Sequence, residues 1–236
     1  MARICLSRFF SLTVLFCLLI SQTTLFSQSN YYPLDRGTQY VYEVKASQKG
    51  STGDVQQQTL SAMIVHLPVA TVAGKTVTPE GHYIDGKLAG VTFIADDERG
   101  VYYYANQFGG QKKPTLMDPV QYLIKYPVQA GATWKQQGSG FEMVNEKKLS
   151  LMMNASIISS DEIVTVPAGV FAKCLKVLIT GKIAAANGNP EFRISNQLWY
   201  APGLGMIRQV QTEEKMGSQA ASFTMVLNLQ KVVYGE

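Results

Sequence analysis

The chain has 236 residues, 46% of them hydrophobic, with 21 basic and 17 acidic side chains for a net charge of +4. That length can bury a core without covalent staples, and the charge, with no basic run, gives little drive toward nucleic acid. The three cysteines and two histidines are too few for a disulfide scaffold or a zinc cluster.

At the N-terminus Arg3 and Arg8 bracket the approach to an apolar stretch, Phe9 to Ile20, broken only by Ser11 and Thr13. A more polar segment follows from Ser21 to Ser29. The apolar run fits the ~7–15 residues of a secretory h-region and falls short of the ~20 that a membrane-spanning helix needs. Ser27 and Ser29 supply small residues at a cleavage site, so residues 1–29 are expected to be an export signal and 30–236 a single domain. An uncleaved anchor is the alternative. Cys17 is not expected to carry lipid, because the bulky Phe16 precedes it and it lies inside the apolar run. Cleavage would remove Cys5, Cys17, Arg3 and Arg8, leaving Cys174 as the lone thiol and 19 basic against 17 acidic residues. No later stretch is apolar enough to span a membrane as a helix. The expected location is the periplasm or the cell surface.

Beyond residue 30 the texture is that of strands, rich in Val, Ile, Thr, Tyr and Phe and punctuated by Gly, Pro, Asn and Asp. The first half carries candidates at Thr38 to Ala46, Gln58 to Leu67, Lys75 to Ile84, Leu88 to Ala95 and Val101 to Asn106. Gln107 to Met117 reads as a loop. Pro119 to Tyr126 reads as one short helix, with Asp118 as its cap and Val120, Leu123 and Ile124 on one face. The second half carries Ala132 to Gln137, Leu149 to Ser159, Glu162 to Val166, Val170 to Thr180, Glu191 to Tyr200, Met206 to Thr212 and Ser222 to Val233. Turns are expected at Gly50 to Asp54, Asp85-Gly86, Glu98 to Gly100 and Asn187 to Pro190. Short strands at near-regular spacing indicate an all-β fold: one curved antiparallel sheet or incomplete β-barrel.

One pattern occurs twice. Tyr32-Pro33-Leu34 leads through Gly37 to Tyr40, and Tyr126-Pro127-Val128 leads through Gly131 to Trp134 with the same spacing. The proline sets an extended approach, the glycine turns the chain into a strand, and the aromatic is expected to be that strand's first buried residue. Two similar lead-ins to one sheet account for this, as does an old duplication. Two further motifs have the same logic. In Val164 to Val177, Pro167 closes one strand, Gly169 turns the chain and Phe171 opens the next, with Cys174 beyond it. In Leu198 to Arg208, Trp199 and Tyr200 end a strand and Pro202, Gly203 and Gly205 turn it.

Taken together, the Tyr-Pro-Leu-x-x-Gly lead-in, the Val-Pro-Ala-Gly-x-Phe-x-x-Cys turn and the Trp-Tyr-Ala-Pro-Gly-x-Gly turn resemble the TapB family of secreted and envelope bacterial proteins of unknown function. The resemblance runs from Tyr32 to Val233. It implies a half-barrel shape similar to lipoprotein carriers, able to cover an apolar cavity. Its residues are turn formers and core, so they mark a fold and not a chemistry.

Candidates for chemistry are sparse. Cys174 sits mid-strand among Val170, Phe171, Leu175 and Val177, the setting of a small buried hydrophobe. His66 and His82 lie in separate strands with no ligand-like partner nearby in sequence, so no metal is expected. The acidic runs Asp96-Asp97-Glu98, Asp161-Glu162 and Glu213-Glu214 read as solvated turns; the first lacks the spaced oxygens of a calcium loop. No nucleophile elbow, phosphate loop or dinucleotide fingerprint is present. Tyr102-Tyr103-Tyr104 alternate faces, so Tyr103 points away from its neighbours. No cofactor is expected, and a non-enzymatic role leads. Two partners stay open, an apolar small molecule or an envelope protein, with hydrolysis a distant third.

Overall fold

The computed structural model describes residues 30–50, 53–141, 148–184, 190–216 and 221–235. Residues 1–29, expected to be an export signal, and Asn187, Gly188 and Asn189 of an expected turn lie outside them. Among the described residues thirteen strands follow in chain order: β1 (Gln39–Lys49), β2 (Val55–His66), β3 (Ala70–Val72), β4 (Lys75–Ile84), β5 (Lys87–Asp97), β6 (Gly100–Phe108) and β7 (Thr115–Lys125), then β8 (Thr133–Phe141), β9 (Lys148–Val166), β10 (Gly169–Ala184), β11 (Pro190–Ala201), β12 (Gly205–Lys215) and β13 (Ser222–Val233). No helix occurs among the described residues.

Every pairing is antiparallel, and the strands run in space β7-β6-β5-β4-β2-β1-β13-β12-β11-β10-β9-β8, with β3 beside β4. The first and last strands meet along their whole length, Gln39 opposite Val233 and Lys49 opposite Ser222. The sheet therefore curls nearly into a barrel whose one unsealed seam lies mid-chain, between β7 and β8. Side chains bridge that seam. Trp134 Nε1 donates to the Tyr122 carbonyl at 3.2 Å, and the Gln136 amide donates to the same oxygen.

The segment expected to be helical is strand β7. Pro119 cannot donate to a ladder, and β7 tolerates it because only one of its edges is paired. Irregular register between β6 and β7, at Val101/Tyr102 and Tyr103/Ala105, breaks the two-residue alternation and buries both Leu123 and Ile124, which imitates a helical spacing. The expected loop at Gln107 to Met117 is shorter, since β6 continues to Phe108 and β7 begins at Thr115. The two strands expected from Leu149 to Val166 are the single strand β9. Three of its steps, Ser159 to Glu162, span two on β10, Lys176 to Cys174, so Ser160-Asp161 marks a bulge and not a turn.

Because this is a meander, its connections alternate between two ends. The start of β1, the end of β13 and the β5–β6, β7–β8, β9–β10 and β11–β12 connections share one end. That end is closed. The lead-in places Tyr31 and Tyr32 against Ile94, Trp134, Leu175 and Tyr200 in the main core cluster. Gly203 N–H donates to the Asn30 carbonyl at 2.7 Å, and the Tyr31 hydroxyl donates to the Lys173 carbonyl at 3.2 Å. Toward the other end burial fades, and Val55 through Thr59 of β2 are all exposed.

Both lead-ins make the same backbone hydrogen bonds. Gly37 N–H donates to His66 O, His66 N–H to Thr38 O and Thr38 N–H to Asp35 O, at 2.9, 2.9 and 3.3 Å. Gly131 donates to Ile157, Ile157 to Ala132 and Ala132 to Gln129, at 2.8, 2.9 and 3.1 Å. Gly37 and Gly131 both sit at left-handed φ, +80° and +86°, which a side chain rarely adopts. Tyr40 and Trp134 are the first buried residues of β1 and β8.

Candidate functional site

The sheet wraps a cavity of about 290 Å³. Its walls are mainly apolar, with Val44, Ile64, Leu123, Ile179, Leu198 and Leu227 from six strands, supplemented by Met63, Met206 and Met225. Strand alternation accounts for this, because every second residue of a curved sheet faces inward. Tyr103 is the inward member of its tyrosine run and lines the cavity, whereas Tyr102 is buried in a separate cluster with Val77, Phe93, Ala95 and Ala105.

Toward the closed end the lining turns polar around Glu80, which is 1% exposed. Its Oε1 accepts from the Tyr32 hydroxyl at 2.9 Å and lies 3.0 Å from His66 Nε2. Its Oε2 accepts from the Thr92 hydroxyl at 3.4 Å, and His82 Nε2 is 2.7 Å from that hydroxyl oxygen. His66 Nδ1 faces the Asp35 carbonyl at 3.3 Å. A carbonyl only accepts, so a hydrogen bond there is donated by His66 Nδ1.

The tyrosines here are held in the phenol form. Burial, followed by the Glu80 charge, pushes Tyr32 and Tyr103 well above the ordinary phenol value. Burial likewise raises Tyr200, with Tyr103 and Glu80 adding to it. His82 is moved the other way, because loss of hydration outweighs the pull of Glu80. One group stands apart: Tyr200 lines the cavity, and its hydroxyl is buried with no hydrogen-bond partner among the described residues. A polar ladder climbs the wall away from this floor, where Gln209 Nε2 donates to Asn196 Oδ1 at 3.1 Å and to Gln211 Oε1 at 3.3 Å.

The motif residues form the closed end beneath the cavity. Leu34, beside Pro33, and Val128, beside Pro127, pack with Trp134 against the main core. The hairpin at Pro167 and Gly169 carries Val164, Val166 and Phe171 into a second cluster with Cys174, Trp199, Ile207 and Leu229. It reaches that cluster because β12 and β13 pair only from Arg208 opposite Asn228 to Glu214 opposite Ser222, and Ala168 N–H donates to Leu229 O at 3.0 Å beyond the paired stretch. Trp199 is fixed by Nε1 donation to Glu162 at 2.7 Å and by Lys176 and Arg208 over its ring at 4.7 and 5.3 Å. Pro202 and Gly203 form the turn that takes β11 into β12, and Gly205 opens β12 next to Tyr40.

Cys174 is fully buried, and burial raises its thiol pKa. Its sulfur faces the Phe171 and Ala172 carbonyls at 3.4 and 3.9 Å. Asp97 is occupied by Arg99 at 3.3 Å and by the Tyr102 hydroxyl at 3.0 Å. Among the described residues no three His, Cys, Asp or Glu side chains converge as a metal site. The Glu80 floor was not foreseen from sequence. The available signal was parity: Thr78, Glu80 and His82 share one face of β4, an unusual run of polar side chains opposite Val77.

No family model matches the chain, and no curated protein is similar to it. Solved structures do match. A protein described as a lipoprotein from Parabacteroides distasonis is 16% identical, with a TM-score of 0.47 over 86% of this chain and 98% of that one. An exported protein with a YmcC-like fold from Bacteroides fragilis is 14% identical, with the same TM-score and coverage. A domain described as an outer membrane lipoprotein-sorting protein from Vibrio parahaemolyticus is 8% identical, with a TM-score of 0.26 over 85% of this chain. These likenesses assign neither ligand nor activity.

Proposed function

We propose that the mature chain is an exported, non-catalytic protein of the bacterial envelope, in the periplasm or at the cell surface, that holds an apolar small molecule inside its incomplete barrel. The observation that supports this is the largely apolar cavity of about 290 Å³ behind a sealed end. Stable domains rarely leave such a space unfilled by their own side chains. The Cys174 thiol donates to the Phe171 carbonyl at 3.4 Å and is raised in pKa by burial, which favours a binding role over thiol hydrolysis. Native mass spectrometry of the mature chain, recovered from cells that export it, tests the reading. The expected result is a population carrying a small-molecule mass that organic extraction removes. Recovery of empty chain alone, with no uptake of apolar probes after purification, overturns it.

A second reading is an assembly protein that docks through the closed end. It is supported by Ile163 and Val170, 74% and 68% exposed, on the two strands flanking the Pro167–Gly169 turn. Crosslinking in intact cells from cysteines placed at these two positions is expected to capture a reproducible partner; its absence removes this reading.

A further inference from the structure

We infer that the cavity recognises a ligand with a neutral, hydrogen-bond-accepting head group buried floor-first on Tyr200, with an apolar body of one short chain or ring system. The inference rests on the binding role proposed above and specifies its chemistry.

The head group follows from what the floor lacks. Tyr200 is 1% exposed and lines the cavity, and its buried hydroxyl is a donor with no partner among the described residues. Buried hydroxyls are nearly always satisfied, so an orphan on a residue that lines a cavity marks the place of an absent acceptor. Its near neighbours do not meet it. Tyr32, whose ring centroid is 5.9 Å from that of Tyr200, turns its own hydroxyl to Glu80. Tyr42, in the second core cluster, turns its hydroxyl to the Met206 carbonyl at 2.8 Å.

The neutrality of the head follows from the charges. No lysine or arginine lines the cavity. The buried ionic groups of the floor, Glu80 and His66, are already paired with each other at 3.0 Å. A carboxylate or phosphate pushed against Tyr200 would lose its hydration without gaining a counter-ion, and would sit near the Glu80 carboxyl. A cationic head fares little better, since Glu80 already accepts from Tyr32, His66 and Thr92. An alcohol, amide or ester carbonyl meets the one unmet demand.

Size sets the body. A void of about 150 Å³ holds a benzene ring. The cavity of about 290 Å³ therefore takes a body near twice that size, not the paired acyl chains of a membrane phospholipid.

The test uses three probes with one body and different heads: naphthalene, 2-naphthol and 2-naphthoate, titrated calorimetrically into the delipidated mature chain at pH 7.5. The expected order is 2-naphthol tightest and 2-naphthoate at least tenfold weaker. Tyr200→Phe is expected to weaken 2-naphthol about fivefold, the effect of one lost hydrogen bond, and to leave naphthalene unchanged. Its unfolding temperature should equal or exceed that of the parent, which rules out misfolding as the cause. If naphthalene and 2-naphthoate bind as well as 2-naphthol, or Tyr200→Phe leaves 2-naphthol untouched, the head-group inference fails and the binding role stands. If none of the three binds, both fail.

Discussion

Replacing Glu80 by leucine removes the acceptor on which the floor of the barrel converges. The Tyr32 hydroxyl, now 2.9 Å from Oε1, and His66 Nε2, at 3.0 Å, would be stranded in a dry site, while the Thr92 hydroxyl, 3.4 Å from Oε2, keeps its contact with His82. The side chains of His66 and Glu80 are 2% and 1% exposed, so water cannot replace the lost partner. Each orphaned donor costs about 1–3 kcal/mol, and breaking a buried ion pair from one side costs about 3–5 kcal/mol in all. In a domain of this size each kcal/mol moves the midpoint by about 2–4 °C, so Glu80→Leu should melt about 6–20 °C below the parent. His66→Leu added to Glu80→Leu should recover part of the loss, because it removes the unpaired imidazole along with the missing carboxylate. The double-mutant cycle should return a coupling of about 2–3 kcal/mol. Circular dichroism melts and urea titrations at pH 7 measure these quantities. A Glu80→Leu midpoint within about 2 °C of the parent, or an additive cycle, would refute the view that this carboxyl organises the floor.

Three other outcomes follow from the same geometry. Gly181→Ala should destabilise by about 2–4 kcal/mol in urea titration, because a Cβ there would lie 2.2 Å from the Met152 carbonyl oxygen of the neighbouring strand; a neutral substitution would mean the β9–β10 approach is looser than drawn. Spectrophotometric titration should find Tyr126 ionising only near pH 12, since burial, then the Asp96 charge, lift it from the ordinary 10.0. The folded value is the higher one, so this contribution to stability is intact below pH 10 and is lost as pH climbs through 12; a native-state phenolate signal from Tyr126, identified with Tyr126→Phe, at pH 10 would contradict it. Cys174, 0% exposed and with its pKa raised by burial, should react with a thiol reagent at pH 8 only after denaturant is added, and rapid labelling of the folded chain would show the closed end to be open.

What the sequence conveyed best was local. Turn residues punctuate the meander, and strands such as β4 and β13 fall at the expected bounds, Lys75–Ile84 and Ser222–Val233. It misled where two local signals had a second physical meaning. Asp118-Pro119 ahead of Leu123 and Ile124 imitates a capped helix, yet an unpaired strand edge accepts the same proline, and a bulge buries the same consecutive pair. Ser160-Asp161 has turn chemistry, and the structure uses it for a bulge. Strand β3 escaped notice because its turn places Ala73 at φ +47°, where asparagine or glycine would have given the signal. The Glu80 site was illegible for a different reason. Tyr32, His66, Glu80 and Thr92 lie on four segments, and only strand register brings them together.

The two lead-ins separate scaffold from site. Each uses its glycine to accept the same hydrogen-bonded corner, and each delivers one aromatic to the core: Tyr40 in one half, Trp134 in the other. On the spatial path, six strands belong to the half before the seam and six to the half after it. The backbone station filled by His66 in the first half is filled by Ile157 in the second, and both are buried. The corner itself therefore does not demand a polar side chain. The first lead-in sends Tyr32 to Glu80 in the cavity floor, whereas Tyr126 of the second bonds Asp96. The polar floor is thus specific to one half, superimposed on a corner that an aliphatic residue fills equally well. Side chains that the corner does not require, that cost desolvation to bury, and that lie beside an unmatched Tyr200 hydroxyl are what the proposed ligand would account for.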